Sequence, residues 1–312
     1  MRQTKIRFFL AFTISLFSFS FFAQNTLAEK LGYKSDTKLL IIHADDLGVA
    51  HSENIGSILA MRSGIVNSAS IMMPCPWVFE IATYAKNNPE IDFGLHLTLT
   101  SEWETMKWGP VSSIDKVKSL VNNYGFFYDN CEDFEKNATI EDVEIELRSQ
   151  IEQAFKLGIK PTHLDTHMGC LNYSQELVNL YLKLGREYKI PAMIDKVSLQ
   201  SASQNTKDLI DDKSVIIEKI FTANPSDFES GMSNYYENIL TNLTAGVQIL
   251  LIHTAFNDAE MQALTINHPN WGAKWRQEDF DFFTSEKCRK IIKKENIKLV
   301  TWRQIQQVIY TN

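Results

Sequence analysis

Long apolar runs are scarce in this chain. One lies between Phe8 and about Ala23, and none follows it, which excludes a multi-span membrane protein and predicts a soluble mature chain. Cysteine is scarce too. The four residues, Cys75, Cys131, Cys170 and Cys288, match no zinc-knuckle spacing. Their pairing stays open, since disulfides of an exported chain and isolated thiols both fit so wide a spacing. Basic residues are in deficit, 31 against 38 acidic. That balance argues against nucleic acid and against anionic membrane surfaces as partners. Linkers, internal repeats and low-complexity stretches are absent, so residues 28–312 read as one domain, within the range that α/β barrels cover.

The single apolar run has the form of a secretory leader. Arg2, Lys5 and Arg7 precede it, and the small residues Ala23 and Ala28 offer cleavage sites. An uncleaved anchor is the alternative, but the run is short and diluted by Ser and Thr. No cysteine at the junction offers a lipid anchor. Residues 1–27 are therefore expected to be a signal peptide, with the mature chain periplasmic or secreted. Removing them takes three basic residues and no acidic one, leaving 28 basic against 38 acidic.

Beyond the leader, strand patterns alternate with helix patterns, which implies a parallel sheet with crossover helices. Strands are expected near Lys38–Ala44, Asn67–Met73, Asp92–Leu99, Thr162–Asp165, Ala192–Leu199, Ser214–Thr222, Val247–His253 and Lys298–Thr301. A helix capped by Ser52 should follow the first strand and end at Gly64. Val78–Lys86 reads as a helix with Phe79, Ala82 and Ala85 on its apolar face. Thr139–Leu157 is the clearest helix: Val143, Leu147, Ile151, Ala154 and Phe155 keep the three-and-four spacing, Thr139 caps it and Gly158 ends it. Gln175–Tyr188, Tyr235–Leu243 and Asp279–Lys294 complete the set, and residues 101–137 form a long aromatic-rich excursion. Seven or eight strands with helices between them predict an α/β fold of TIM-like, deformed parallel (β/α) barrel type.

Asp and His residues recur where these strands end. The first strand runs into His43-Ala44-Asp45-Asp46, Phe93-Gly94-Leu95 into His96, Pro161-Thr162-His163-Leu164-Asp165 into His167, and the apolar run from Val247 into His253. Converging strand ends are where a parallel barrel builds its site. One carboxylate and two imidazoles with positions left open suit a catalytic metal rather than a closed structural one. One residue of the Asp pair could bind metal while the other takes a proton; the pair could equally turn the chain and cap the next helix. His167, past its strand end, is better placed as a ligand than His163, which suits a structural or supporting role. His43, His51 and His268 are read as structural.

The segments His43-Ala44-Asp45-Asp46-Leu47-Gly48, Gly94-Leu95-His96-Leu97-Thr98-Leu99 and Pro161-Thr162-His163-Leu164-Asp165-Thr166-His167, in this order and spacing, resemble the YdjC-like carbohydrate deacetylases over roughly residues 38–260. The resemblance implies a deformed barrel akin to the polysaccharide deacetylases. It implies a divalent metal on Asp46, His96 and His167, a catalytic base at Asp45, and a late-strand histidine at His253, the candidate proton donor to the leaving amine. Three departures stand out. His43 replaces the usual Asn before Ala-Asp-Asp, Met168-Gly169-Cys170 replace further histidines after His167, and Thr254-Ala255 replace a Pro-Gly pair after His253. With the leader, they point to an exported branch and an altered outer pocket.

The expected reaction is metal-assisted removal of acetyl groups from N-acetylated sugars. The metal is expected to be Zn²⁺ or Mg²⁺, with Co²⁺, Ni²⁺ or Fe²⁺ also compatible. Trp103 and Trp108 are candidate sugar-stacking platforms. His163 and Asp165 are further candidate substrate contacts, and Asp165 could also orient a histidine. An esterase or amidase acting on a non-sugar substrate uses the same groups, so it remains an alternative. A catalytically silent carbohydrate-binding protein is the other. A glycosidase is disfavoured, because adjacent Asp45 and Asp46 cannot flank a glycosidic bond.

Overall fold

The computed structural model describes residues 26–310. The expected leader therefore lies almost wholly outside the described residues, which begin as Thr26 caps a short helix, Leu27–Lys30. No helix among the described residues is long and apolar enough to cross a membrane.

Nine strands are found among the described residues: β1 Lys38–Leu47, β2 Ser68–Ile71, β3 Phe93–Leu97, β4 Leu164–Thr166, β5 Ile194–Asp195, β6 Ile216–Ile217, β7 Lys219–Phe221, β8 Gly246–Ile252 and β9 Lys298–Leu299. Seven form one sheet in the order β4-β3-β2-β1-β8-β7, with β9 paired to the start of β1. Every pairing is parallel. β5 and β6 pair separately, and a bridge from Leu164 to Ala192 leads from β4 towards them. The result is a half-barrel flanked by helices, as the alternating pattern predicts. β1 lies at its centre and is buried along nearly its whole length, which is why its sequence is a continuous apolar run rather than an alternating one.

The helix Ile140–Leu157 forms as read. Thr139 accepts a hydrogen bond from the Asp142 N–H, and Gly158 takes the left-handed conformation at φ 86°. Four other readings need correction. Ser52 does not cap its helix, His51–Arg62, which starts at Ala50 without a side-chain cap; its hydroxyl sits 2.7 Å from Asp258 and 2.8 Å from Glu260. Phe79 is 71% exposed, and Ile81 takes its place in the core beside Ala82 and Ala85. The strand expected over 192–199 lasts two residues, because the Asp195 carboxylate caps a helix at Lys196–Ser201. The helix expected over 279–294 is two helices, Ala273–Thr284 and Glu286–Lys294, broken where extended Ser285 caps the second.

Candidate metal centre

The centre forms where β1, β3, β4 and β8 end. Neighbouring strand residues point to opposite faces, yet Asp45 and Asp46 both serve this site. Asp46 takes φ 69°, and the pairing of β1 with β2 shifts register between Ala44 and Leu47. The left-handed residue in the bulge turns the second carboxylate back towards the first. Asp tolerates that conformation better than most residues.

Asp46 is the hub. Its Oδ1 lies 3.3 Å from His96 Nε2 and 3.4 Å from His167 Nδ1. It is buried and makes no hydrogen bond, and the three side chains form a group whose donor atoms could hold one ion. Both imidazoles are anchored on their far side: His96 Nδ1 is 2.7 Å from Asp165 Oδ1, and His167 Nε2 is 2.9 Å from Glu102 Oε2. Carboxylates behind ligating histidines fix the tautomer and aim the other nitrogen. They also favour the charged imidazole against the penalty of burial, so His96 is raised well above the usual range and His167 to about 9. A cation entering here displaces those protons.

Asp46 Oδ2 faces the other way, 2.7 Å from Arg276 Nη2, and Arg276 Nη1 lies 2.8 Å from Glu53 Oε2. Arg276 is buried beside both carboxylates, with Trp103 packed against its guanidinium at 5.4 Å. Burial pushes Glu53 up to about 7 despite that partner, whereas Asp46, despite burial, is held well below the carboxylate range by Arg276 and the histidines.

Asp45 Oδ1 accepts from Ser70 Oγ at 3.2 Å and lies 3.0 Å from His43 Nε2. His253 Nε2 is 3.8 Å from Asp46 Oδ2, and its backbone N–H donates to Asp279 at 2.9 Å. Burial pushes His253 down to about 4 against the pull of Asp46.

The expected substrate contacts sit differently. Trp103 and Trp108 are each 3% exposed. Trp108 donates its Nε1–H to Thr100 O at 2.8 Å and meets Trp103 edge-on at 5.9 Å, so the pair walls the centre beneath its surface and offers no open stacking face. His163 is fully buried, stacked on Trp302 at 5.1 Å, in space that a side chain at Gly94 would fill. Asp165 is taken up by His96 and His43. Its supporting role stands as expected, whereas neither Asp165 nor His163 presents a surface to substrate.

The structure also assigns the cysteines: Cys131 and Cys170 form a disulfide, while Cys75 and Cys288 are buried thiols. Cys170 lies three residues beyond His167, in a turn where Met168 and Gly169 both take positive φ. The bond thus ties the His167 turn to the helix Cys131–Asn137. Closing a loop of this span stabilises by about 4 kcal/mol in the chain-entropy limit. Reduction is expected to lower the urea midpoint and weaken metal binding; an unchanged midpoint after complete reduction contradicts a structural role.

Sequence reasoning missed His43, Glu53, Glu102 and Arg276. His43 had a usable signal, since it stands two residues before Asp45 on a strand and shares its face. Arg276 had none, lying 230 residues from Asp46.

Comparison with known proteins agrees with this architecture. The family model described as YdjC-like protein matches residues 39–294. A carbohydrate deacetylase of Thermus thermophilus is 29% identical over 290 residues, covering 91% of this chain and 99% of the relative. A carbohydrate deacetylase of Thermoanaerobacter pseudethanolicus is 27% identical over 271 residues, covering 85% and 98%. A crystal structure from Enterococcus faecalis, of a protein described by cellobiose-phosphate cleavage, superposes with a TM-score of 0.71 at 24% identity, covering 86% of this chain and 99% of its own; it has the same fold. With the family model matching most of its length, the chain belongs to the YdjC-like protein family.

Proposed function

We propose that this protein is an exported, metal-dependent deacetylase of N-acetylated sugars, with one divalent ion held by Asp46, His96 and His167. The observation that carries the reading is the orphaned, buried Asp46 Oδ1 faced by two imidazole nitrogens, each anchored behind by a carboxylate. An oxygen that makes no hydrogen bond although two ring nitrogens face it at 3.3 and 3.4 Å is placed as one member of a ligand set, and a cation among the three satisfies them together. Two imidazoles and one carboxylate suit Zn²⁺, and also Co²⁺, Ni²⁺ or Fe²⁺. When bound, such an ion polarises a carbonyl and makes water acidic enough to attack.

The rest of the chemistry falls to the chain's own groups. Asp45 Oδ1 is engaged by Ser70 and His43, which leaves Oδ2 to take the proton of the attacking water. His253, with Nε2 3.8 Å from Asp46 Oδ2, is placed to hand a proton to the departing amine, and the proton that Asp45 takes from water restores the balance. Arg276 keeps Asp46 ionised. The acetylated-sugar substrate follows the carbohydrate deacetylases among the relatives. Export is supported by the leader pattern and by the Cys131–Cys170 bond, since disulfides persist in oxidising compartments.

The test is acetate release from a panel of N-acetylated and O-acetylated glycans by metal-free protein, with each divalent metal added back. Metal-dependent release from N-acetylated members is expected. Release from O-acetyl or non-sugar amide substrates alone moves the reading to an esterase or amidase. No release by protein that binds metal leaves the silent binding protein.

A further inference from the structure

Asp45, Asp46 and Asp165 share one buried pocket. Carboxylates that close need compensating donors or cations. Arg276 serves Asp46. Asp45 and Asp165 are served by His43. Its Nε2 lies 2.8 Å from Asp165 Oδ2, 3.0 Å from Asp45 Oδ1 and 3.2 Å from Ser70 Oγ, and its Nδ1 lies 2.9 Å from Ser68 Oγ. The other oxygen of Asp165 holds His96 at 2.7 Å. The placement is fixed by the strands: His43 and Asp45 share a face of β1, and His43 stands in register with Ser68 of β2.

We propose that His43 is a positioning residue whose Nε2 holds two carboxylates at once, Asp165 by a hydrogen bond that aims it at His96 and Asp45 by a close polar contact that sets it for proton transfer. This rests on the roles of Asp45 and His96 proposed above. An Asn at this position ends near where the imidazole Nδ1 lies, so it meets Ser68 and falls short of both carboxylates. A Gln amide nitrogen reaches the Nε2 position.

The experiment compares His43→Leu, His43→Asn and His43→Gln with wild type. Zn²⁺ affinity is measured by calorimetry on the full chain, and kcat and KM by acetate release at saturating Zn²⁺. Leu and Asn are expected to weaken Zn²⁺ binding about 10- to 100-fold and to lower kcat about 100-fold, with KM nearly unchanged. Gln is expected to restore both to within a few-fold. Wild-type Zn²⁺ affinity and kcat in the Asn variant overturn the proposal. So does a Gln variant as impaired as Asn, because the side chain's bulk then matters and its N–H does not. If His43→Leu does not fold, the Asn and Gln variants decide. If wild type releases no acetate from any glycan, the deacetylase reading fails, while the order of Zn²⁺ affinities still tests the clamp.

Discussion

Asp45→Asn is expected to bind metal as wild type does and to lose turnover by about 10²- to 10⁴-fold. The two carboxylates are adjacent in sequence, but the φ of 69° at Asp46 gives them different surroundings. Asp46 Oδ1 faces both histidines. Asp45 Oδ1 faces Ser70 and His43. An Asn amide oxygen at position 45 keeps the Ser70 and His43 contacts and loses only the capacity to take a proton. The loss should therefore fall on kcat, with metal affinity and KM held. His96→Ala, in contrast, removes a nitrogen aimed at Asp46 and should abolish both metal binding and turnover. Calorimetric metal titration beside acetate release separates the two cases. A fully active Asp45→Asn protein, or a His96→Ala protein that binds metal normally, removes these assignments.

Arg276→Met should have the largest effect on stability. Arg276 bridges Asp46 and Glu53, all three buried, and Met keeps the stem while deleting the charge. Breaking a buried pair from one side costs about 3–5 kcal/mol, a large share of a stability on the order of 5–15 kcal/mol. The sign of the pH dependence follows from Glu53. Burial already raises it to about 7, so the folded state holds its proton more tightly than the unfolded chain does. Stability from this group therefore falls as pH rises from the unfolded carboxylate range through the folded value. Without Arg276 the folded value rises further, so the penalty should be smallest near pH 5 and grow towards pH 8. Urea unfolding of metal-free protein at these two pH values measures it, and the double variant with Glu53→Gln should recover part of the loss. Equal midpoints for wild type and Arg276→Met at pH 8 contradict the account.

The parts of the site legible in the sequence are those that strand physics reports. A buried central strand announces itself as an apolar run, and polar residues breaking out at its end mark the site; Asp45, Asp46, His96, His167 and His253 were found in that way. The buried support was harder to see. Glu102 follows β3, but its role behind His167 is not legible there, and Arg276 comes from a helix with no strand-end signal; only the folded chain brings them to His167 and Asp46. His43 looked like an ordinary core histidine because its second carboxylate, Asp165, becomes visible only once β1 and β4 are placed in one sheet. Trp103 and Trp108 were read as open platforms because they follow β3, but residue type and loop position do not report burial. Short-range capping likewise cut short the strand expected at Asp195 and split the helix expected across Ser285.

The most direct test of the metal centre is anomalous diffraction at the zinc edge from crystals of Zn²⁺-loaded protein, with Asp46→Ala alongside. The account predicts one strong peak per chain between Asp46, His96 and His167, absent in the variant. A peak seated elsewhere, or one that persists unchanged in Asp46→Ala, contradicts it.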